Sequence, residues 1–378
     1  MKLMHLSDLH LGKRVNGFSM IEDQRHMLEQ ILAINQEERP DAVLLCGDIY
    51  DKSVPSAEAV ELFDGFLSRL AECCPVYLIS GNHDSAERLA FGGRLMAKSG
   101  VYLSPVYDGT VTTVQQRDEF GTVCFHLLPF LKPVQVRRFY PEEIIETYTD
   151  GVRAALSAID PEDGNRHVLL AHQFVTGSAR CDSEELSVGG SDNVDAEVFA
   201  GFDYVALGHI HGAQRAGGEH IRYCGTMLKY SFSEASHRKS VTFAELREKG
   251  SLTITTRELV PLRDLKELRG TYEELMSRSF YYGTDLPESY LHITLTDEED
   301  VPEALGRLRT VYPYIMKLSY DNQRTRLRQN PQEAEAVPES SPLELFGLLY
   351  EKQNNASLGD DQRAYLTGLM ESIWKEEA

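Results

Sequence analysis

Five apolar runs in this chain each end in side chains able to bind a cation or move a proton. Pro75–Ser80 leads into Gly81-Asn82-His83-Asp84. There an amide oxygen, an imidazole and a carboxylate fall within three positions. Asn82 can offer its oxygen to a hard cation, His83 can ligate or act as an acid, and Asp84 can orient a histidine. The pattern recurs. Asp8 and His10 follow Lys2–Leu6, and Asp48 follows Asp41–Cys46 within Gly47-Asp48-Ile49-Tyr50-Asp51. His172 ends His167–Ala171, and His209 and His211 follow Phe202–Leu207. In extended backbone, residues two apart project to one side, so Asp8 pairs with His10 and His209 with His211.

The candidate ligands are Asp8, His10, Asp48, Asn82, His172, His209 and His211. Seven donors exceed one tetrahedral site. They suit two adjacent cations bridged by a carboxylate, and Asp48, with donors on both sides of it in sequence, is the natural bridge. Oxygen and imidazole donors without thiolate favour Mn²⁺, Fe²⁺, Zn²⁺ or Mg²⁺. Two such cations would attract phosphate, acidify a shared water and support in-line attack on a phosphodiester. His83 is then free to contact phosphate and protonate the leaving oxygen, with Asp84 steadying its ring.

The elements that must hold these groups follow from periodicity. Met20–Glu38 and Ser56–Cys73 carry apolar residues at helical spacing, with Ser56 as a cap for the second. Together with the first three apolar runs they give strand, helix, strand, helix, strand, which predicts a parallel α/β sheet. In such sheets ligands gather at the carboxyl ends of the strands. Further helices are expected at Ala86–Ser99, a core face or a self-association surface, and at Pro141–Ile159. Short strands are expected at Val101–Leu103, Thr110–Val114 and Val123–Leu128, and Gln173–Asn193 reads as a loop. A hairpin, Val241–Leu246 with Leu252–Arg257, would close the first domain. Residues 261–330 read as a small α+β unit (helix, strand, helix, strand), 331–341 as a linker, and 342–378 as two amphipathic helices able to dock on a partner.

The 378 residues carry a net charge of −21, which argues against simple electrostatic attachment to nucleic acid. Cations or a partner would have to supply part of any attraction to a polyanion. Local basic pairs exist at Lys13-Arg14, Arg137-Arg138 and Arg238-Lys239. The six cysteines are scattered, which fits reduced thiols in a cytoplasmic protein. No run approaches the roughly 20 apolar residues of a membrane span.

The set Asp8-x-His10, Gly47-Asp48-x-x-Asp51, Gly81-Asn82-His83-Asp84, His172 and Gly208-His209-x-His211 resembles the signature of the calcineurin-like metallophosphoesterases over residues 1–257. Three details sharpen the resemblance toward the SbcD family of nuclease subunits. These are His5-Leu6-Ser7-Asp8-Leu9-His10-Leu11-Gly12; Ser80 to Ser85; and Gly208-His209-Ile210-His211 followed by Tyr223-Cys224-Gly225-Thr226 and Ser231-Phe232-Ser233-Glu234. The resemblance implies a metallophosphoesterase β-sandwich flanked by helices in residues 1–260, a DNA-binding capping domain at 261–330, and partner-binding terminal helices. It implies a Mn²⁺-dependent nuclease (Mg²⁺ as the alternative) with 3′→5′ exonuclease activity on duplex DNA and endonuclease activity on single strands and hairpins. It further implies a homodimer working with the ATPase SbcC in a heterotetramer. By the family's pattern Asp8, His10, Asp48 and His211 hold one metal, and Asp48, Asn82, His172 and His209 the other. His83 is then the catalytic histidine. Two rivals stand beside this: a small-molecule or phosphoprotein phosphoesterase of the same superfamily, and a mainly structural scaffold for SbcC.

Overall fold

Runs that are apolar at every position belong to strands covered on both faces. Ala42–Cys46 is such a run, as is Val168–Ala171 within Arg166–His172, and every residue in both strands is buried. In the computed structural model they are central strands of two facing sheets. The structure describes residues 1–184, 192–323, 325, 343, 346–347, 349–350 and 358–376. It divides into two units, Met1–Asp264 and Leu265–Ala378.

In the first unit the main elements are β1 (Lys2–Leu6), α1 (Ile21–Glu38), β2 (Ala42–Cys46), α2 (Ala57–Ala71), β3 (Val76–Ile79), β4 (Val101–Leu103), β5 (Thr112–Asp118), β6 (Gly121–Leu127), α3 (Tyr148–Leu156), β7 (Arg166–His172), β8 (Tyr204–Gly208), β9 (Gln214–Arg215), β10 (Ile221–Tyr223), β11 (Ser240–Leu246) and β12 (Leu252–Glu258). One sheet runs β12-β11-β1-β2-β3-β4 and the other β9-β10-β8-β7-β6-β5. In the first, β1 to β4 are parallel, and the β11–β12 hairpin adds antiparallel to β1. In the second, β10, β8, β7 and β6 are parallel between antiparallel edge strands β9 and β5.

Period-two alternation sends Leu44 and Cys46 into the core between the sheets, where they join Tyr77, Ile79, Phe125, Val168, Leu170, Tyr204 and Ala244. Val43 and Leu45 alternate to the opposite face and are equally buried. Helix α1 buries Met27, Leu28, Ile31 and Leu32, and α2 buries Leu62, Phe63, Phe66 and Leu67. The expected cap on α2 is present, with Ser56 Oγ accepting from the Ala59 amide at 3.3 Å. A second core packs α3 residues Val152, Ala155 and Leu156 with Leu169, Ala171, Val205 and Leu207. The parallel α/β sheet expected from the sequence is thus half of a β-sandwich flanked by helices.

Several boundaries differ from the expectation for local reasons. Ala86–Ser99 is not one helix. Gly92 takes a left-handed φ of 75° and splits it into Ala86–Leu89, Gly93–Met96 and a 3₁₀ turn. The helix expected from Pro141 starts only at Tyr148, where Thr147 and Asp150 form a capping box.

In the second unit, strand β13 (Leu265–Gly270) precedes α4 (Tyr272–Met276), β14 (Tyr290–Leu295), α5 (Ala304–Leu308) and β15 (Ile315–Tyr320). The sequence pattern did not reveal β13, whose burial alternates with polar residues. The three strands form a parallel sheet with β14 central, backed by Leu275, Leu291, Ile293, Leu295, Leu308 and Tyr312. Helix α6 (Asp360–Glu376) spans the second of the two expected terminal helices. The 331–341 linker lies outside the described residues, as does half of the expected first terminal helix, 342–351.

Candidate metal centre

The carboxyl ends of β1, β2, β3, β7 and β8 converge, and the seven candidate ligands meet there. Asp48 is at the middle. Its Oδ2 lies 3.3 Å from His172 Nε2, 3.7 Å from His10 Nε2 and 3.9 Å from His83 Nε2. On one side, His10 Nε2 and His211 Nε2 are 3.1 Å apart, and Asp8 closes a group with them in which donor atoms lie within 4.8 Å of one another. On the other side, Asn82 Oδ1 lies 3.0 Å from His172 Nε2 and 2.9 Å from His209 Nδ1. All but Asn82 are buried.

The backbone that delivers these groups is not the extended geometry expected for Asp8 and His10. Asp8, His10, Asp48 and His209 have φ of 52°, 44°, 48° and 101°. The exits of β1, β2 and β8 therefore leave the extended course of their strands. Such conformations cost about 1–3 kcal/mol apiece in a non-glycine residue and persist only where the surroundings over-determine them. Here the determinants are visible. The Asp8 amide donates to Gly47 O, the His10 amide donates to Asp48 O, and the His209 amide donates to Asp8 Oδ1 at 3.0 Å. Glycines let the exits crowd together: a Cβ on Gly81 would overlap the Asp48 carboxylate, and one on Gly208 would overlap Cys46 O.

Hydrogen bonds also aim individual rings. His172 Nδ1 donates to Cys46 O at 2.8 Å, which aims Nε2 at Asp48 and Asn82. His83 Nδ1 lies 3.0 Å from Asp51 O, and its backbone amide donates to Asp48 Oδ1 at 2.9 Å.

Asp84 does not hold the His83 ring. Its carboxylate accepts from the amides of Gly81 (2.9 Å), Ile49 (3.1 Å) and Tyr50 (3.0 Å), tying the loops after β2 and β3 together. The partner of the His83 ring is the Asp51 carbonyl. Adjacency in sequence suggested the pairing; the turn at residues 81–84 folds the carboxylate back onto main chain instead.

Packing donors this tightly perturbs them. Burial, then the neighbouring Asp48, raises the Asp8 carboxyl to about 7 despite His172. Burial opposes the charge on Asp48, but His172, His10 and His83 outweigh it and hold that carboxyl well below its ordinary value. Burial pulls His172 down, yet Asp48 and Asp8 raise it to about 9. His209 is lowered to about 3 by burial and by His172. Carboxylates and imidazole lone pairs crowded together away from water are what a divalent cation neutralises, and the oxygen–imidazole donor set fits one.

Comparison with known proteins decides the lineage. A family model described as calcineurin-like phosphoesterase matches residues 1–213. A second, described as type 5 capsule protein repressor C-terminal domain, matches residues 261–354. The SbcD subunit of the nuclease SbcCD from Staphylococcus epidermidis is 32% identical over 324 residues, 84% of this chain and 85% of that protein. This chain belongs to the SbcD family of calcineurin-like phosphoesterases. Two solved structures are also similar: a dimetal phosphatase from Danio rerio (TM-score 0.40, 12% identity, 69% of this chain and 98% of that one) and TT1561 of Thermus thermophilus (0.39, 14%, 68% and 98%).

Beside the SbcD motif residues, the structure adds partners that the sequence did not expose. Buried Gln24 donates to His10 O, and Tyr230 OH donates to Leu9 O, pinning the loop that carries His10. Phe130 lies parallel to the His209 ring with centroids 6.5 Å apart. Lys239, half of a supposed basic surface pair, is buried and bonded to Glu234 at 2.5 Å. Among the described residues, no helix is long and apolar enough to cross a membrane.

Proposed function

We propose that this chain is the nuclease subunit of an SbcCD-type complex, cutting DNA phosphodiesters with two divalent cations, Mn²⁺ in the first instance. The observation that carries this is the position of Asp48. Its carboxylate sits between Asp8, His10 and His211 on one side and Asn82, His172 and His209 on the other. We assign the first set with Asp48 to one cation and the second set with Asp48 to the other. When bound, the cations supply positive charge to the phosphoryl oxygens and make a water acidic enough to attack at neutral pH.

The remaining chemistry belongs to the chain. Nδ1 of His83 is occupied by the Asp51 carbonyl, so a transferable proton must sit on Nε2, which faces the Asp48 side of the pocket. Protonated there, His83 binds a phosphate oxygen and delivers the proton to the leaving oxygen. The backbone amide of His83 holds Asp48 Oδ1, which ties the main chain that carries the ring to the carboxylate. Asp84 has no direct part in the reaction; it keeps both loops in register.

The nuclease assignment rests on the relative's name and on a match over 84% of this chain, and DNA as the substrate is part of the proposal. The reading includes exonuclease action at duplex ends, endonuclease action on hairpins and single strands, partnership with SbcC, a homodimer and a cytoplasmic setting. The net charge of −21 makes the partner a needed source of DNA affinity. Incubating the purified chain with Mn²⁺, a labelled hairpin and a small phosphodiester, with and without SbcC and ATP, tests it. Hairpin cleavage that SbcC and ATP stimulate is expected. Hydrolysis of the small ester with DNA untouched in every mixture would overturn the nuclease reading.

A further inference from the structure

His211 differs from the other imidazoles of the pocket in how thoroughly it is held. Its amide donates to Glu184 Oε1 at 2.7 Å. Its carbonyl accepts from the Thr226 amide at 3.1 Å and from Lys239 Nζ at 3.0 Å. Nδ1 lies 2.7 Å from Ser183 Oγ, and Ser183 in turn donates to Glu234 Oε1 at 2.6 Å. The other oxygen of Glu234 takes Lys239 Nζ at 2.5 Å, and the same ammonium donates to Thr226 Oγ1 at 2.7 Å. Only Nε2 of His211 is left to face His10 across the pocket. Glu234 is fully buried and Lys239 nearly so.

The direction of these bonds can be worked out. Ser183 has one hydroxyl proton, and an ionised Glu234 only accepts. The Lys239 ammonium, 2.5 Å from the other carboxylate oxygen, supplies the counter-charge for that ionised form. Ser183 therefore donates to Glu234 and accepts from Nδ1–H of His211. That relay selects the tautomer with a bare Nε2 and strengthens its lone pair. His172 has its Nδ1 held instead by a neutral carbonyl, Cys46 O. His209 has its Nδ1 against Asn82. Among the described residues, the two sides of the pocket are thus supported by different chemistry, a carboxylate–lysine pair behind one and a main-chain carbonyl behind the other.

We propose that Ser183, Glu234 and Lys239 are positioning residues for His211 that set the affinity of the Asp8–His10–His211 side independently of the Asn82–His172–His209 side. This rests on the two-cation reading given above. Ser183 lies in the segment 176–184 that follows β7, so the proposal also makes that segment a determinant of cation loading. Motif reading had placed no function there.

The test is Mn²⁺ binding to the full chain after chelation, followed by calorimetric titration and by electron paramagnetic resonance, which separates isolated from exchange-coupled Mn²⁺. The wild type comes first: two bound Mn²⁺ with a coupled signal are expected, and a single site would defeat the two-cation reading itself. Ser183→Ala should then weaken one site about 10–100-fold and leave the other within twofold. At limiting Mn²⁺ the coupled signal should give way to an isolated one. Ser183→Thr, which keeps the hydroxyl, should restore the wild-type isotherm. The double variant Glu234→Gln/Lys239→Met avoids leaving a buried charge alone and should reproduce the Ser183→Ala loss. Two normal sites in Ser183→Ala and in the folded double variant overturn the proposal. So does equal weakening of both sites, which would mark a general structural role.

Discussion

Replacing Asp84 by alanine separates the role read from its neighbours in sequence from the one read in the structure. The carboxylate accepts three backbone amides, those of Gly81, Ile49 and Tyr50. Leaving such a donor without an acceptor costs about 1–3 kcal/mol, so three cost about 6 kcal/mol. Against this stands relief of the burial penalty. Burial, then Asp48, raises the Asp84 carboxyl to about 6, which is roughly 3 kcal/mol held against its ionised form at neutral pH. The balance is a loss of about 3 kcal/mol, which lowers the melting temperature of the first unit by roughly 5–10 °C. The loops that carry Asp48, Asn82 and His83 lose their shared tie, so Mn²⁺ affinity falls with stability.

The sign with pH gives a second check. A carboxyl raised in the folded state weighs against folding above about 6 and not below its ordinary value near 4. The deficit of Asp84→Ala should therefore be larger at pH 4.5 than at pH 7.5. Differential scanning calorimetry on chelated protein, with a parallel Mn²⁺ titration, measures both. An unchanged melting temperature and unchanged Mn²⁺ binding, with turnover lost, would refute the amide account and return Asp84 to the side of His83.

Four further outcomes are expected. His83→Ala should lower the rate of phosphodiester hydrolysis about 10²–10⁴-fold while Mn²⁺ stoichiometry by calorimetry stays at two, because the link to Asp48 is through the backbone amide. Phe91 and Leu95 are apolar side chains 85% and 72% exposed, suited to self-association; where they join the two copies of the proposed homodimer, Phe91→Glu/Leu95→Glu should yield a monomer in light scattering and leave cleavage of a small phosphodiester intact. His126, lowered to about 4 by burial and by His167, lends stability that is complete above about 6.5 and drains away as pH falls through 4; His126→Gln should flatten the urea-midpoint profile over that window. Deleting residues 331–378 should abolish co-purification with SbcC and spare Mn²⁺-dependent hydrolysis of the small ester.

The pocket was legible in the sequence because its donors sit where apolar β-runs stop. Strand ends can be read from periodicity, and position after a strand end is enough to bring groups together in a parallel sheet. What lay behind the donors was not legible. Lys239 beside Arg238 reads as surface charge; only the fold shows that it turns inward to meet Glu234 while Arg238 stays exposed. Ser183 sits in a polar loop with nothing local to mark it. Asp84 misled for a related reason, since four residues in a tight turn point in directions that their order does not reveal. Strand β13 was missed because its charged residues, Lys266, Glu267 and Arg269, dilute the apolar signal.

The left-handed residues connect fold to chemistry. Asp8, His10, Asp48 and His209 account for four of the seven non-glycine residues with positive φ among those described. At about 1–3 kcal/mol each, they set several kcal/mol against the rest of the fold. Fully buried strands of both sheets, β2, β7 and β8, lie immediately behind them, and their packing offsets that cost. The strain aims rather than distorts: the reversals gather Asp8, His10 and His209 around Asp48 instead of out along their strands. A looser scaffold would relax these turns and disperse the lone pairs. Cation binding can therefore be tight without the chain having to order itself first, and the freedom left in the pocket belongs to His83, whose ring is 14% exposed and held through one nitrogen.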